Sequence, residues 1–520
     1  MERYKGAIFI ALATFLTFFI SICIATQKLT VGVWLFNPLH SFSRWWMPML
    51  ALLCCYIIAI FGFLAIENKE KKMFHLATIS LAFMQFLLAL AVTFLSPLTW
   101  MLLAWLVINP ASNAYFSTAA ETKSLIKLLQ NFDKKMPNHI QHAFGQEWKP
   151  RSPCANEPPL ISHVATQSPG PIIFCGIIRK IVLKLPPLIW LAEQILAFSP
   201  GTTTKEIANY MKQWHNVFVT PRDVAAALWC AVVYIIVGCS TVFFLVHIGK
   251  LTKNLQVGWG SAVLFATMPA FHMFTPSVDQ MYPLITAIVV FLIIYGLHQD
   301  VTLSLLVFTI AGFILAIGVF LNLGLVTLLP LSFLLTFMFS WKVKKKLSEC
   351  FFNFMTFLAS FLSPLLALLI LLDCNLWLIF KKSDMLRMQL YSIHTPRPYL
   401  PWIWGNIVDF FVFIGIPLTI GFLWQILKEL ASGIKERSLS SFSPILWAFV
   451  ITFVILLLSG KVRGEVARMW LFLTPMVIIP ASIAFDEFGI WEHKEWLGII
   501  IALQGLNNLI LREFLRVWGI

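Results

Sequence analysis

Residues 459–470 read SGKVRGEVARMW and place Lys461, Arg463, Glu465 and Arg468 between two apolar runs, PILWAFVITFVILLL before them and LFLTPMVIIPASIAF after. Glu465 and Arg468 have i, i+3 spacing, so on a helix they share a face and can pair. Such a pair would leave Arg463 free to bind an anion, and Gly464 lets a backbone approach closely. Guanidinium groups are planar forks that match phosphate oxygens. Lys461 reads as an anchor whose ammonium snorkels to the membrane surface.

Further polar features carry chemistry of the same kind. In RPYLPWIWGN, Arg397 stands beside Tyr399, Trp402 and Trp404. This reads either as an arginine aimed at a lipid phosphate or as part of an interfacial aromatic belt. Asp279, in FTPSVDQMYPL, either positions a substrate, pairs with a loop arginine or caps the following helix. Between residues 110 and 222 lie Glu121, Asp133, Glu147 and Glu157. Each is either a solvated charge or a carboxylate able to take a proton from a hydroxyl or to hold a divalent cation.

The elements that must position these side chains are hydrophobic helices. Of 520 residues 59% are apolar and only 12% charged, and the mean hydropathy is +0.83. A soluble domain carries roughly 25% charged residues. Many runs are long enough to cross a bilayer, which takes roughly 20 apolar residues. Short alternating segments of a transmembrane β-barrel are absent from the pattern. The expectation is an all-α polytopic membrane protein with about 13 transmembrane helices, in the range 11–14. Spans are placed near 6–26, 45–66, 74–95, 224–247, 257–275, 283–298, 302–320, 322–340, 351–373, 406–427, 444–459, 470–485 and 496–511. The run at 7–25 resembles a signal peptide but is longer than a usual h-region, and it reads as a retained first span.

The net charge of +14 does not point to nucleic acid. The basic residues lie in short clusters between apolar runs, as topology-setting loops and contacts to anionic lipid require. With residue 1 in the cytoplasm, ENKEKK, GKLTKN, WKVKKKL and KELASGIKER fall inside. Basic residues on the other side concentrate at 374–405 and in SGKVRGEVARMW. The nine cysteines have no metal-ligand spacing and read as small apolar residues. Residues 1–109 hold N-terminal spans, 110–222 form a long extracytoplasmic loop with short amphipathic helices (ETKSLIKLLQNF, LPPLIWLAEQILAF), and 223–520 form the remaining helical region. All three belong to one integrated membrane domain. A loop of that size is usually functional.

Six segments, in order along most of the chain, carry a resemblance: NAYFSTAAE, TQSPGP, PRDVAAALWCAVVYIIVG, MPAFHMFTPSVDQMYPLI, RPYLPWIWGNIVDFFVFIGIPL and GKVRGEVARMWLFLTP. Together they resemble the GT-C superfamily of integral membrane glycosyltransferases, in particular bacterial relatives of the protein mannosyltransferase and aminoarabinose transferase families. The resemblance implies a GT-C-like fold in the cell membrane and a polyprenyl-phosphate-linked sugar as donor. It further implies inverting transfer to a lipid, glycan or protein acceptor on the outer face. It makes Glu121 the catalytic carboxylate, as base or as ligand of a divalent cation (Mg or Mn). Asp279, Arg397, Tyr399, Arg463, Glu465 and Arg468 would bind substrate, with Arg463 and Arg468 neutralising the departing phosphate. Where relatives have His-Pro-Pro-Gly, this chain has Gln167-Ser168-Pro169-Gly170.

Two other classes remain open: a transporter or lipid flippase, marked by a mid-membrane ionisable residue or a broken helix, and a GT-C-like scaffold without catalysis. The reading requires Glu121, Asp279, Arg397 and Arg463 to converge on one outer cavity with a lipid-facing groove beside it.

Overall fold

The computed structural model describes residues 2–26, 35–36, 44–93, 107, 114–122, 124–136, 167–197, 202–214, 219–393, 397–436 and 442–516. Their architecture is helical throughout. The one exception is a two-residue antiparallel pairing of Leu35–Phe36 with Leu515–Arg516.

Nine described helices are long and apolar enough to cross a membrane: Tyr4–Ala25, Trp46–Glu67, Lys71–Thr93, Pro221–Thr252, Val278–Leu297, Val301–Leu321, Leu323–Lys342, Leu347–Leu372 and Lys494–Phe514. The count reaches ten if the bent pair Tyr399–Ile414 and Ile416–Lys435 is one span. The chain is thus a polytopic all-α membrane protein, with fewer full spans among the described residues than the thirteen expected. The difference has a physical cause: several apolar runs form short or broken helices, below the length of a full span. The run at 257–275 breaks at Thr267 and Met268 into Leu255–Ala266 and the single turn Pro269–Met273. The run at 470–485 becomes Thr474–Glu487, a 14-residue helix lined almost wholly by buried residues. Pro444–Ser459 has 16 residues. The run at 406–427 turns by 115° around Gly415, whose φ is +107°.

Apolar side chains also cover the outside. Phe15, Phe19, Leu53, Phe61, Ile79, Phe83, Phe313 and Ile317 are all exposed, an arrangement that water would not tolerate over such an area and that lipid accepts. Helix Leu347–Leu372 lies at the rim, with few of its residues buried. It packs closely on Val301–Leu321 because Gly312 has no side chain: a Cβ there would lie 2.2 Å from the Phe357 carbonyl oxygen. Small residues at helix crossings serve this purpose in membranes.

Within the long polar insertion, the expected amphipathic pieces are helices Leu125–Leu129, Phe132–Lys135 and Pro186–Ala197. Gln167-Ser168-Pro169 leads into the 15-residue helix Gly170–Lys184. This helix is tied to the bundle by Arg179, whose Nε donates to Asp223 Oδ1 at 2.6 Å. Asp223 also closes a capping box with Thr220 at the start of Pro221–Cys239. The stretch 374–405 contains helix Leu376–Ile393, which carries Lys381, Lys382 and Arg387 of the basic residues concentrated there.

Candidate functional site

The site forms where helix Pro444–Ser459 ends. Gly460 follows it at φ +60°, the left-handed position that commonly stops a helix. Gly464 (φ +88°) and Glu465 (φ +58°) turn the chain again before the short helix Val466–Met469. Helix Tyr399–Ile414 lies along this turn and pins it at three levels. Tyr399 Oη donates to the Leu458 carbonyl at 2.7 Å. Asn406 Nδ2 donates to the Val462 carbonyl at 2.8 Å, and its Oδ1 accepts from the Gly464 N–H at 2.8 Å. Asp409 Oδ2 accepts from the Ala467 N–H at 3.3 Å. Asn406 and Asp409 are both buried, so the bonds are shielded from water. Below them Phe410 packs against Phe449, Phe453 and Trp470, with ring centroids 5.2 to 6.4 Å apart.

On this platform the charged side chains alternate in sign. Arg397 Nη2 lies 3.5 Å from Glu465 Oε1. Arg468 Nη2 lies 2.9 Å from Glu465 Oε2, and its Nε lies 3.6 Å from Asp279 Oδ2. The row therefore runs Arg397, Glu465, Arg468, Asp279. These four side chains are only 13–27% exposed, so their mutual attraction is screened less than that of a surface pair. Ser277 Oγ donates to Asp279 Oδ2 at 2.9 Å. Helix capping at this point falls to Ser277 together with Gln280, and Asp279 is left facing Arg468.

Arg463 is not held free by the Glu465–Arg468 pair, as the spacing alone suggested. Its Nε donates to the Gly460 carbonyl at 3.1 Å and its Nη1 to the Arg397 carbonyl at 2.9 Å. Arg397 Nη1 donates in return to the Arg463 carbonyl at 2.5 Å. Both guanidinium groups lie over Tyr391, at 5.2 and 5.8 Å, and Arg463 also lies over Tyr399 at 5.6 Å. Arg397 and Arg463 thus clasp each other, each through the other's backbone. Lys461 is more than an anchor, because its ammonium pairs with Asp384 on helix Leu376–Ile393.

Asp279, Arg397, Tyr399, Arg463, Glu465 and Arg468 therefore share one region. Glu121 ends helix Ala114–Glu121, and its side chain lies outside the described residues, as do Glu147, Glu157 and residues 394–396. The long insertion nevertheless reaches the neighbourhood of Asp279. A Cβ on Gly170 would lie 2.0 Å from the Phe320 carbonyl oxygen. The next residue, Leu321, accepts a hydrogen bond from Tyr282 Oη at 3.4 Å, three positions beyond Asp279. Asp133 is buried on helix Phe132–Lys135, whose backbone carbonyl at Asp133 accepts from Lys382 Nζ at 2.8 Å. Burial pushes the nearby Cys374 thiol up to about 12, so it is no nucleophile at neutral pH.

Between helices Val301–Leu321 and Leu347–Leu372 an apolar groove of about 360 Å³ opens, with Phe320, Pro364, Leu368 and Leu372 in its walls. Among the described residues no three His, Cys, Asp or Glu side chains gather to hold a metal ion. The carboxylates of Asp279 and Glu465 face guanidinium groups, a setting that does not fit a divalent cation.

Asn406, Asp409, Tyr391 and Ser277 are site residues that the sequence reading did not assign. The signal for two of them is present in GNIVDFF, where Asn406 and Asp409 interrupt an apolar helix on one face.

Fold and site together define a polytopic helical membrane protein that carries a chain of alternating charges at one end of its bundle. No protein-family model matches the chain, and no curated protein matches it. Among solved structures it is similar to the archaeal oligosaccharyltransferase AglB from Archaeoglobus fulgidus in complex with an inhibitory peptide and a dolichol-phosphate. The identity is 12% and the TM-score 0.46, over 84% of this chain and 55% of that one. It is also similar to the Archaeoglobus fulgidus oligosaccharyltransferase in complex with Zn and sulfate, with 12% identity and a TM-score of 0.34, over 59% of this chain and 43% of that one. The chain spans about half the length of these solved structures.

Proposed function

We propose that this protein is a GT-C-type membrane glycosyltransferase that moves a sugar from a polyprenyl-phosphate donor to an acceptor at the outer face. The observation that carries this reading is Arg468, suspended between Glu465 at 2.9 Å and Asp279 at 3.6 Å. Its longer contact is the one a phosphate oxygen would replace. Arg397 and Arg463 add positive charge on a platform already held rigid by Asn406 and Tyr399. Preorganised cations stabilise a leaving phosphate without reorganising during the reaction. The acceptor oxygen attacks the anomeric carbon, the carbon–oxygen bond to phosphate breaks, and polyprenyl phosphate departs with the bonding electron pair. The proton of the acceptor hydroxyl goes to a carboxylate, which the resemblance assigns to Glu121. The apolar groove walled by Phe320 and Leu372 suits an isoprenoid chain lying in the lipid beside the site.

Turnover of a polyprenyl-phosphate-linked sugar by the purified protein in liposomes tests the reading. Arg468→Gln is expected to lower the rate roughly 10²–10³-fold, as loss of one preorganised charge-stabilising donor does. Undiminished turnover in Arg468→Gln overturns the assignment.

One observation favours a second reading, a transporter or flippase. Helix pair Tyr399–Ile414 and Ile416–Lys435 is broken at 115°, and the buried carboxylate of Asp409 lies near the break. Here the break has a different use, since Asp409 and Asn406 secure the turn at 462–467. Substrate-dependent uptake into proteoliposomes, without sugar transfer, would favour transport.

A further inference from the structure

The two ends of helix Pro444–Ser459 face different environments. Ser459 leads into the charged turn, whereas Pro444 borders a cavity of about 320 Å³ at the opposite end of the bundle. The termini of Thr241–Thr252 and Leu328–Lys342 meet there, and its walls carry Lys253, Lys342 and Lys428. Lys428 is paired with Glu487 at 2.6 Å and Lys253 with Asp486 at 3.0 Å. The Glu429 carboxylate accepts from Gln425 Nε2, the Ser443 N–H and Trp447 Nε1 at 2.8–3.0 Å. Lys342 has no ion pair among the described residues, and Glu429 is met by neutral donors alone, so the lysines of the wall (Lys253, Lys342, Lys428) outnumber its carboxylates (Glu429, Glu487) by one.

Three further features define what would fit. Ser443 makes no side-chain cap at the start of the 16-residue helix Pro444–Ser459, so backbone N–H groups of its first turn present their partial positive charge there. Gln425, 5% exposed, lines the cavity, and its Oε1 has no hydrogen-bond partner. Phe339, Pro444, Ile445 and Ile483 supply apolar wall. Cation, hydroxyl-seeking acceptor and apolar surface together suit an amphiphile better than an inorganic ion. Basic pockets between helices near the bilayer surface hold anionic lipid headgroups.

We propose that this cavity binds the phosphodiester headgroup of an anionic, hydroxylated phospholipid. Lys342 and the first turn of Pro444–Ser459 hold the phosphate, Gln425 accepts from a headgroup hydroxyl, and the acyl chains lie against Phe339 and Ile445. The site is independent of the glycosyl-transfer reading, being at the other end of the bundle.

Native mass spectrometry of the full chain in detergent tests it, titrating phosphatidylglycerol against phosphatidylcholine. The expected result is one tightly retained phosphatidylglycerol, with affinity about fivefold lower in Lys342→Ala, the effect of one lysine on an anionic headgroup. Lys342→Arg should restore binding. Lys346→Ala removes the same charge nearby, outside the cavity wall, and should leave affinity unchanged. Lys342 is exposed at a helix end, so its loss does not threaten the fold. Equal retention of both lipids, or equal losses for Lys342→Ala and Lys346→Ala, overturns the proposal. So does displacement of phosphatidylglycerol by equimolar glycerol phosphate, which would identify a water-soluble ligand instead.

Discussion

Arg468 and Arg463 stand five positions apart and do different work. Arg468 bridges carboxylates from two segments, Glu465 and Asp279, whereas Arg463 gives two of its nitrogens to backbone carbonyls. Each of those hydrogen bonds contributes roughly 0.5–1.5 kcal/mol net. Arg463→Lys retains the charge but cannot reproduce the fork that reaches Gly460 and Arg397 together. It is therefore expected to lower stability by about 1–3 kcal/mol, read as a lower melting temperature in detergent. An unchanged melting temperature with a raised KM for the lipid-linked donor would instead make Arg463 a direct ligand. Asn406 presents the clearest structural dependence. Asn406→Leu leaves the buried Val462 carbonyl and Gly464 N–H without partners, at a cost of roughly 1–3 kcal/mol each. Asn406→Asp keeps the acceptor for Gly464 and should lie between wild type and Asn406→Leu in a denaturation series.

At the scale of elements, the charged turn is shaped by one helix ending and another lying beside it. Gly460 must adopt φ +60°, and a Cβ at that position would lie 2.6 Å from the Tyr399 ring. Left-handed backbone costs a non-glycine residue roughly 1–2 kcal/mol, and the ring overlap adds to it. Gly460→Ala is thus expected to melt well below wild type, and Gly460→Ala combined with Tyr399→Ala should recover the part due to overlap. Additive losses in that double-mutant cycle would show that the two residues do not press on each other. Helix Leu376–Ile393 joins this arrangement from the side: Tyr391 stacks with both arginines, Asp384 pairs with Lys461, and Lys382 reaches the Asp133 carbonyl of the long insertion.

For the whole molecule, the two ends of the bundle differ in kind. One carries the alternating row Arg397, Glu465, Arg468, Asp279, and the other the lysine-walled cavity. The proposed transfer at the outer face requires the cavity to lie at the cytoplasmic end. Ser459 and Lys346 are exposed positions belonging to the two ends. With the native cysteines replaced, Ser459→Cys is expected to react with a membrane-impermeant maleimide added to intact cells, and Lys346→Cys only after permeabilisation. The reverse pattern would invert the topology and move the proposed transfer to the cytoplasmic face.

Composition and hydrophobic runs alone determined that this is a polytopic all-α membrane chain with a long polar insertion. The charged stretches were legible too, because charge between apolar runs is costly and conspicuous. The i, i+3 pair of Glu465 and Arg468 was readable because it is local. Only the tertiary structure decided that Asp279, nearly two hundred residues earlier, meets Arg468, and that Arg463 binds backbone. Those contacts depend on which helix ends are neighbours, and local spacing carries no such information. The number of full spans was likewise not legible. Apolar composition does not say where a helix breaks, so Leu255–Ala266 and Thr474–Glu487, 12 and 14 residues long, read as parts of full-length spans.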